Sequence, residues 1–223
     1  MRVVEIFRSI DGEGKRAGLP TTFVRLHGCN LHCSYCDTRY GCEGDDFSIM
    51  SIPEIISVIK LLGVKSITIT GGEPLIHEGI EGLVTTLVRS GYWVNIETNG
   101  TINVEKFKSC LPLGVKEIQS NLFFTVDYKC PSSGMNHRMG LATFKGLTQD
   151  DVLKFVVGDE NDMDIALGVL DEIQTSANVY FSPVFGKIEP SAIVEYILRH
   201  KLYDCKVQLQ MHKIIWEPEK RGV

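Results

Sequence analysis

Three cysteines lie within eight positions of the sequence, in the stretch GCNLHCSYCD. Cys29, Cys33 and Cys36 follow the spacing Cys-x3-Cys-x2-Cys. Thiolates are the ligands that select zinc ions and iron–sulfur clusters. Thiols so close together, on a segment with polar neighbours, predict a metal or cluster site rather than inert buried side chains.

Two kinds of metal centre fit these thiols. A structural zinc ion takes four ligands in a closed site, and Cys42 is a possible fourth ligand of zinc or of a fully ligated cluster. Three thiolates on a four-iron cluster would instead leave one iron free to bind a small molecule. The spacing favours the open cluster. The remaining cysteines are scattered and are interpreted as packing residues: Cys110, Cys130 and Cys205.

Composition limits the class of protein. The chain has 223 residues, 43% of them hydrophobic, which predicts one domain over residues 1–223. A net charge of -5 offers no basic surface for nucleic acid. No apolar run approaches the roughly 20 residues that cross a bilayer, and the N-terminus has no signal-peptide pattern. We therefore expect a cytoplasmic protein with reduced thiols and no membrane or nucleic-acid partner.

Short β-rich segments alternate with amphipathic helices along the chain. Runs rich in Val, Ile, Thr and Phe predict strands near 3–6 and at 21–28, 66–70, 93–98, 123–128, 152–157, 178–182 and 206–211. Apolar residues at helical spacing predict helices after the capping box Ser51–Glu54, over 80–88 and 166–173, from 190 to about 200, and over 103–109. This alternation is typical of a parallel sheet in an α/β fold.

Unusual residues follow several predicted strands. The cysteine loop follows strand 21–28, and Gly71-Gly72-Glu73-Pro74 follows strand 66–70. Asn99-Gly100 and the segment KCPSSG follow the next two strands. Because parallel sheets bind ligands at the carboxyl ends of their strands, we expect these segments on one rim.

The cysteine loop and the Gly-Gly-Glu-Pro turn resemble the radical S-adenosylmethionine (SAM) superfamily. The resemblance implies that Cys29, Cys33 and Cys36 hold a [4Fe–4S] cluster whose fourth iron binds SAM. It implies that cleavage of SAM yields methionine and a 5′-deoxyadenosyl radical that takes a hydrogen atom from the substrate. The implied fold is α/β, an incomplete (β/α) barrel with a mostly parallel sheet, and Cys42 falls outside the ligand set.

A narrower resemblance covers almost the whole chain. Segments similar to the 7-carboxy-7-deazaguanine synthase family are FRSIDGEG (7–14), FVRL (23–26), CDT (36–38), KCPSSGM (129–135), SPV (182–184) and QLQMHK (208–213). That family comprises lyases that convert 6-carboxy-5,6,7,8-tetrahydropterin to 7-carboxy-7-deazaguanine with loss of ammonia, in queuosine and deazapurine biosynthesis. The resemblance implies a homodimer that uses SAM, a [4Fe–4S] cluster, Mg²⁺ and a reducing partner such as flavodoxin or ferredoxin.

The resemblance also implies roles for individual residues. Thr38 would join the magnesium shell, which suits a hard ion that prefers oxygen. The SAM site would contain Tyr35, Asp37, Gly71, Gly72, Glu73, Asp127, Tyr128 and Lys129. The substrate would be surrounded by Ile10, Asp11, Gly12, Glu13, Arg25, Thr70 and His212.

Some of these residues have a physical rationale of their own. Gly71 and Gly72 allow a backbone to approach a ligand closely, and Glu73 could accept a hydrogen bond from an ammonium group. Arg25 is interpreted as a lone cation that binds the substrate carboxylate through two parallel hydrogen bonds. Many members of the family have glutamine at the position of Asp11, which changes the contact expected there.

A second hypothesis shares the cluster motif. An activase that installs a glycyl radical in a partner protein would use the same cysteine loop. Such an enzyme would not need Arg25, Glu13 or Thr38 around a small carboxylated pterin.

Overall fold

One nine-stranded sheet runs through the computed structural model, which describes all 223 residues. Its strands are β1 (Arg2–Ile10), β2 (Pro20–Leu26), β3 (Ser48–Ile49), β4 (Ser66–Gly71), β5 (Trp93–Thr98), β6 (Leu122–Tyr128), β7 (Val152–Val157), β8 (Asn178–Pro183) and β9 (Cys205–Val207). The spatial order is β3-β1-β2-β4-β5-β6-β7-β8-β9. Neighbouring strands from β2 to β9 are parallel, whereas β1 pairs antiparallel with β2 and β3. The edge strands β3 and β9 do not pair with each other, which confirms the predicted incomplete barrel and mostly parallel sheet.

Helices connect the parallel strands. They are α1 (Ile52–Leu62), α2 (Ile80–Arg89), α3 (Val104–Cys110), α4 (Val115–Asn121), α5 (Glu160–Ile173), α6 (Pro190–Arg199) and α7 (Met211–Ile215). The predicted capping box begins α1, because Ser51 Oγ accepts from the Glu54 amide and the Glu54 carboxylate accepts from the Ser51 amide. None of these helices is both long and apolar enough to cross a membrane.

The central strands have one apolar face and one polar face. Ile67 and Ile69 of β4 are fully buried in the main hydrophobic core, which they share with Leu83 of α2. Thr68 and Thr70 alternate with them and therefore lie on the opposite face. The helices thus cover the apolar face, and the polar face lines the inside of the open barrel.

The predicted strand over 206–211 is wrong beyond Val207. β9 pairs with β8 over only three residues, after which the Gln208 amide donates to Phe181 O. The chain then turns inward, where the Met211 amide donates 3.0 Å to Gly12 O at the start of α7. This contact brings the end of the chain to the rim of the barrel.

Candidate active site

A cavity of about 400 Å³ opens at the carboxyl ends of the parallel strands. Its lining includes residues of β1, β2 and β4 to β7 together with the cysteine loop and α7. Among the residues predicted from sequence, those lining it are Ile10, Gly12, Glu13, Arg25, Cys29, Cys33, Tyr35, Cys36, Asp37, Thr38, Thr70, Gly71, Gly72, Asp127, Lys129 and His212. The three predicted residues that do not line it are Asp11, Glu73 and Tyr128.

The segment after β6 holds the cysteine loop in place. The Ser34 amide donates 2.9 Å to Ser133 O, and the Ser34 hydroxyl donates 2.6 Å to Ser132 O. Within the loop, the Cys36 amide donates to Cys33 O at 3.2 Å. Two segments that are distant in sequence therefore form one rigid support for the thiols.

Two of the three loop thiols lie in an environment that favours thiolates, whereas burial raises the pKa of the third, Cys33. Cys29, Cys33 and Cys36 are free and partly buried. A hydrogen bond from Cys42 is the largest cause that lowers the pKa of Cys29 and of Cys36 to about 6. Asn99 Nδ2 also donates to Cys29 Sγ at 3.6 Å. Thiolates at neutral pH are the form that binds iron, so this donor set fits an iron–sulfur cluster.

The structure shows no preformed site for a single metal ion. No group of three or more His, Cys, Asp or Glu side chains converges as the ligands of one ion. A tetrahedral zinc ion needs four ligands at about 2.0–2.3 Å from one centre.

Gly71 and Gly72 are required by the protein itself. Gly71 has φ +142°, and a Cβ atom there would overlap Leu26 O at the end of β2. A Cβ atom at Gly72 would overlap Gly28 O, next to the first cysteine of the loop. The Gly72 amide donates to Leu26 O at 3.0 Å. The two glycines thus allow β4 to approach the cysteine loop. This role is additional to the predicted contact with SAM.

Glu73 supports the site from behind the cavity wall. Its carboxylate accepts from the Leu75 amide at 3.0 Å, the Thr98 hydroxyl at 2.8 Å and the Asn99 amide at 2.6 Å. Burial raises the pKa of Glu73 to about 7. The carboxylate thus joins β4 to β5 behind the cavity wall, and its contact with SAM stays a prediction.

Tyr128 also points away from the cavity. Its ring packs against Phe144 and Phe155, and its hydroxyl accepts from Asn136 Nδ2 at 3.1 Å. Because side chains alternate along a strand, only its neighbours Asp127 and Lys129 reach the cavity. The Tyr128 side chain therefore packs in the core, and the role of this residue at the SAM site stays a prediction.

Asp11 lies beneath the cavity. Its Oδ2 accepts from Arg16 Nε at 2.9 Å, and its Oδ1 accepts from the Thr68 hydroxyl at 2.9 Å. Only 2% of the residue is exposed. Both oxygens have partners within the protein, and the contact of Asp11 with the substrate stays a prediction.

Arg25 is paired, contrary to the expectation of a lone cation. It lies opposite Glu5 in the antiparallel register of β1 and β2, and its Nε donates to Glu5 Oε1 at 2.7 Å. The Tyr40 hydroxyl donates to the same oxygen at 3.0 Å. The terminal guanidinium nitrogens make no hydrogen bond with the protein, so they remain available on the cavity side.

Sequence reasoning missed two charged groups in the cavity. Lys154 Nζ of β7 lies 2.8 Å from Glu13 Oε2 and 3.1 Å from Asp127 Oδ1. Glu97 of β5 accepts from the Thr70 hydroxyl at 2.9 Å, and burial raises the pKa of Glu97 to about 7. Both occupy the polar positions of otherwise apolar strands, a period-2 signal that could have indicated them.

Asp37, Thr38 and α7 form the outer wall. Lys213 Nζ lies 2.9 Å from Asp37 Oδ2, and the Thr38 hydroxyl donates 3.0 Å to Asp37 Oδ1. The His212 ring lies against Gly12, where a Cβ atom would overlap Nδ1. The Thr38 hydroxyl keeps its lone pairs free, as an oxygen ligand of a cation requires.

Known proteins share both the sequence and the fold. Residues 23–128 match the Radical SAM superfamily. The chain is 46% identical to a 7-carboxy-7-deazaguanine synthase of Clostridium acetobutylicum, over 100% of this chain and 99% of that protein. It is 37% identical to the synthase of Methanospirillum hungatei, over 98% and 86%. QueE from Escherichia coli has the same fold, with a TM-score of 0.74, 24% identity and coverage of 95% and 94%. The chain therefore carries a radical SAM domain and belongs to the 7-carboxy-7-deazaguanine synthase family.

Proposed function

We propose that this protein converts 6-carboxy-5,6,7,8-tetrahydropterin to 7-carboxy-7-deazaguanine with release of ammonia, as a radical SAM lyase. The observation that carries the proposal is one cavity that combines three partly buried thiols with cationic and acidic side chains. The full-length similarity to synthases of this name supports it. No observation favours the activase hypothesis.

Cys29, Cys33 and Cys36 would hold the [4Fe–4S] cluster. A reduced cluster held there would supply the electron for cleavage of SAM, which would be the source of the radical that takes a hydrogen atom from the substrate. Candidate SAM contacts from this chain are the cavity residues Tyr35, Asp37, Gly71, Gly72, Asp127 and Lys129. The paired charges of Asp127 and Lys129, 2.7 Å apart, match a ligand that carries both an ammonium and a carboxylate group.

The substrate carboxylate would bind Arg25. Its free terminal nitrogens can donate two parallel hydrogen bonds, while Glu5 fixes the orientation of the guanidinium through Nε. Glu13 would accept from N–H groups of the pterin ring, and Thr70 and His212 would complete the contact surface with Ile10 and Gly12. A carboxylated heterocycle is therefore matched at both ends.

The proposal includes a magnesium ion at Thr38. Its hydroxyl oxygen faces the cavity beside the cysteine loop and is free to act as a ligand. The ion would orient the substrate carboxylate and spread its charge.

We also propose a single domain over residues 1–223, supported by one sheet whose strands run from Arg2 to Val207. A homodimer, a cytoplasmic location and a reducing partner such as flavodoxin or ferredoxin complete the proposal.

Turnover of the reconstituted protein tests this function. We expect anaerobically reconstituted protein with SAM, a reductant and 6-carboxytetrahydropterin to form 7-carboxy-7-deazaguanine and 5′-deoxyadenosine, both measured by mass spectrometry. Omission of Mg²⁺ should lower the rate. Cys33→Ala should abolish product, and Cys110→Ala, at an exposed site on α3, should not. Cleavage of SAM only in the presence of a partner protein, without any deazaguanine, would establish the activase instead.

A further inference from the structure

Asn99 is a polar residue of the cavity wall to which the proposed function assigns no role. It directly follows β5 and lines the cavity together with Cys29, yet only 6% of the residue is exposed. Its backbone amide donates 2.6 Å to the Glu73 carboxylate, which also accepts from the Thr98 hydroxyl at 2.8 Å. The turn after β5 is therefore held in place beside the cysteine loop.

A closed ring of hydrogen bonds fixes the orientation of the Asn99 side chain. Asn99 Nδ2 donates 2.8 Å to Asn30 Oδ1, Asn30 Nδ2 donates 2.9 Å to Thr101 Oγ1, and the Thr101 hydroxyl donates 2.7 Å to Asn99 Oδ1. The Thr101 backbone amide also donates 3.1 Å to Asn99 Oδ1. Because a backbone amide can only donate, the atom that it contacts must be the side-chain oxygen of Asn99. The other terminal atom of this side chain is therefore the nitrogen.

This nitrogen lies beside the first cysteine of the loop. Asn99 Nδ2 carries two protons; besides the bond to Asn30, it donates to Cys29 Sγ at 3.6 Å. The Leu31 amide donates to the same sulfur at 3.4 Å. Cys29 Sγ thus accepts one N–H from its own loop and one from the end of a different strand.

We propose that Asn99 is a positioning residue whose side-chain N–H donates to the ligating sulfur of Cys29 and raises the reduction potential of the cluster. The inference rests on the proposed function, in which this sulfur binds iron. Reduction adds negative charge to the cluster, and a donor to a ligating sulfur stabilises that charge. The ring formed with Asn30 and Thr101 keeps the donor directed at the sulfur.

Potentiometry of the reconstituted protein, without SAM or substrate, tests the inference. Asn99→Leu removes the donor and should keep the iron and sulfide content of the wild type, while its midpoint potential becomes more negative. Loss of a hydrogen bond to a charged group should lower the ratio of reduced to oxidised cluster roughly tenfold at fixed potential, which is about 59 mV for one electron. Asn161→Leu makes the same chemical change at an exposed position of α5 and should leave the potential unchanged.

A second variant decides the matter if Asn99→Leu does not assemble a cluster. Asn99→Asp keeps the size of the side chain and an oxygen that accepts from Thr101, but it has no N–H to donate, so its potential should fall by at least as much. An unchanged potential in Asn99→Leu, or in Asn99→Asp where only that variant holds a cluster, would overturn the inference. Loss of iron from both variants would also overturn it, because Asn99 would then be needed for assembly of the cluster. Absence of a cluster from the wild type would contradict the proposed function instead.

Discussion

Two buried charge groups arise from one short loop, and they differ in what surrounds them. Asp11 pairs with Arg16 below the cavity, and Glu13 pairs with Lys154 inside it. Only one residue, Gly12, separates the two carboxylates in sequence. The two carboxylates have the same chemistry and nearly the same place in the sequence. Any difference in their roles must therefore come from the residues that surround them.

The Asp11–Arg16 pair is closed by the protein. Besides Arg16, the Asp11 carboxylate accepts from the hydroxyls of Thr21 at 3.0 Å and Thr68 at 2.9 Å. The Arg16 guanidinium donates to Trp93 O at 2.8 Å and also to Ile67 O and Thr68 Oγ1. Burial raises the pKa of Asp11, against the effect of Arg16. With every guanidinium nitrogen engaged, the pair ties the loop to the starts of β4 and β5.

The Glu13–Lys154 group remains open to the cavity. Its ammonium is shared between Glu13 and Asp127, and the carboxylate of Glu97 lies close enough to raise the pKa of Lys154 further. This group has more acidic than basic members around Lys154, and it faces a space large enough for a ligand. From this comparison we expect the closed pair to stabilise the fold and the open group to act on ligands.

Arg16→Met should have the largest effect on stability. It leaves Asp11 buried without a cation, and breaking a buried pair in this way costs about 3–5 kcal/mol. We expect that loss in the apparent free energy of unfolding, measured by urea titration with circular dichroism. The turnover per folded molecule should stay within a few fold of the wild type.

A compensating substitution controls this prediction. Adding Asp11→Asn to Arg16→Met removes the uncompensated charge and should recover part of the lost stability. A loss below about 1 kcal/mol in Arg16→Met would show that the pair is not the closed structural group described above.

Lys154→Met should affect turnover more than stability, the opposite of Arg16→Met. Loss of the ammonium leaves Glu13 and Asp127 without the cation that orients them, so turnover should fall about 10²–10³-fold, as for other preorganised polar groups. Stability should fall less than in Arg16→Met, because cavity water can solvate the carboxylates. Product formation at saturating pterin and urea unfolding measure the two effects.

An exposed lysine of α1 supplies the matched control. Lys60→Met makes the same chemical change on the surface and should leave turnover and stability near the wild type. If Lys154→Met were as active as Lys60→Met, the open charge group would have no functional role.

The sequence predicted the parts of the site that depend on local chemistry. The cysteine spacing, the glycine turn and the alternation of strands and helices placed most site residues on one rim, because parallel strands end together. The charge pairs could not be predicted in the same way. Arg25 meets Glu5 only through the register of β1 with β2, and β1 proved to extend to Ile10 beyond the predicted 3–6.

The same reason explains why the pairing of Asp11 with Arg16 and the early end of the last strand were not predicted. Whether a carboxylate beside Gly12 faces the cavity or Arg16 depends on how the loop folds beneath the sheet. The segment after Val207 has strand-like composition, yet it bonds to Gly12 O instead of extending β9. Contacts between residues distant in sequence determine both the orientation of Asp11 and the end of β9. A local sequence pattern gives no information about such contacts.

The smallest expected effect concerns Glu97, whose neutral form is favoured in the cavity. Burial raises the pKa of Glu97 from 4.5 to about 7. A carboxyl group with a raised pKa contributes stability that is fully present below about pH 4.5 and is lost as the pH rises through about 7. The full shift corresponds to about 3 kcal/mol, and screening by cavity water reduces it to about 2 kcal/mol.

Glu97→Gln should therefore remove this pH dependence. Between pH 5 and 8, the unfolding free energy of the wild type should fall relative to that of the variant by about 2 kcal/mol, as measured by urea titrations at each pH. Glu195 lies at an exposed position of α6. The unfolding free energy of Glu195→Gln should therefore change with pH in the same way as that of the wild type. Parallel curves for Glu97→Gln would mean that the cavity solvates this carboxylate fully. Access to water, rather than pairing within the protein, would then distinguish the open charge group from the closed one.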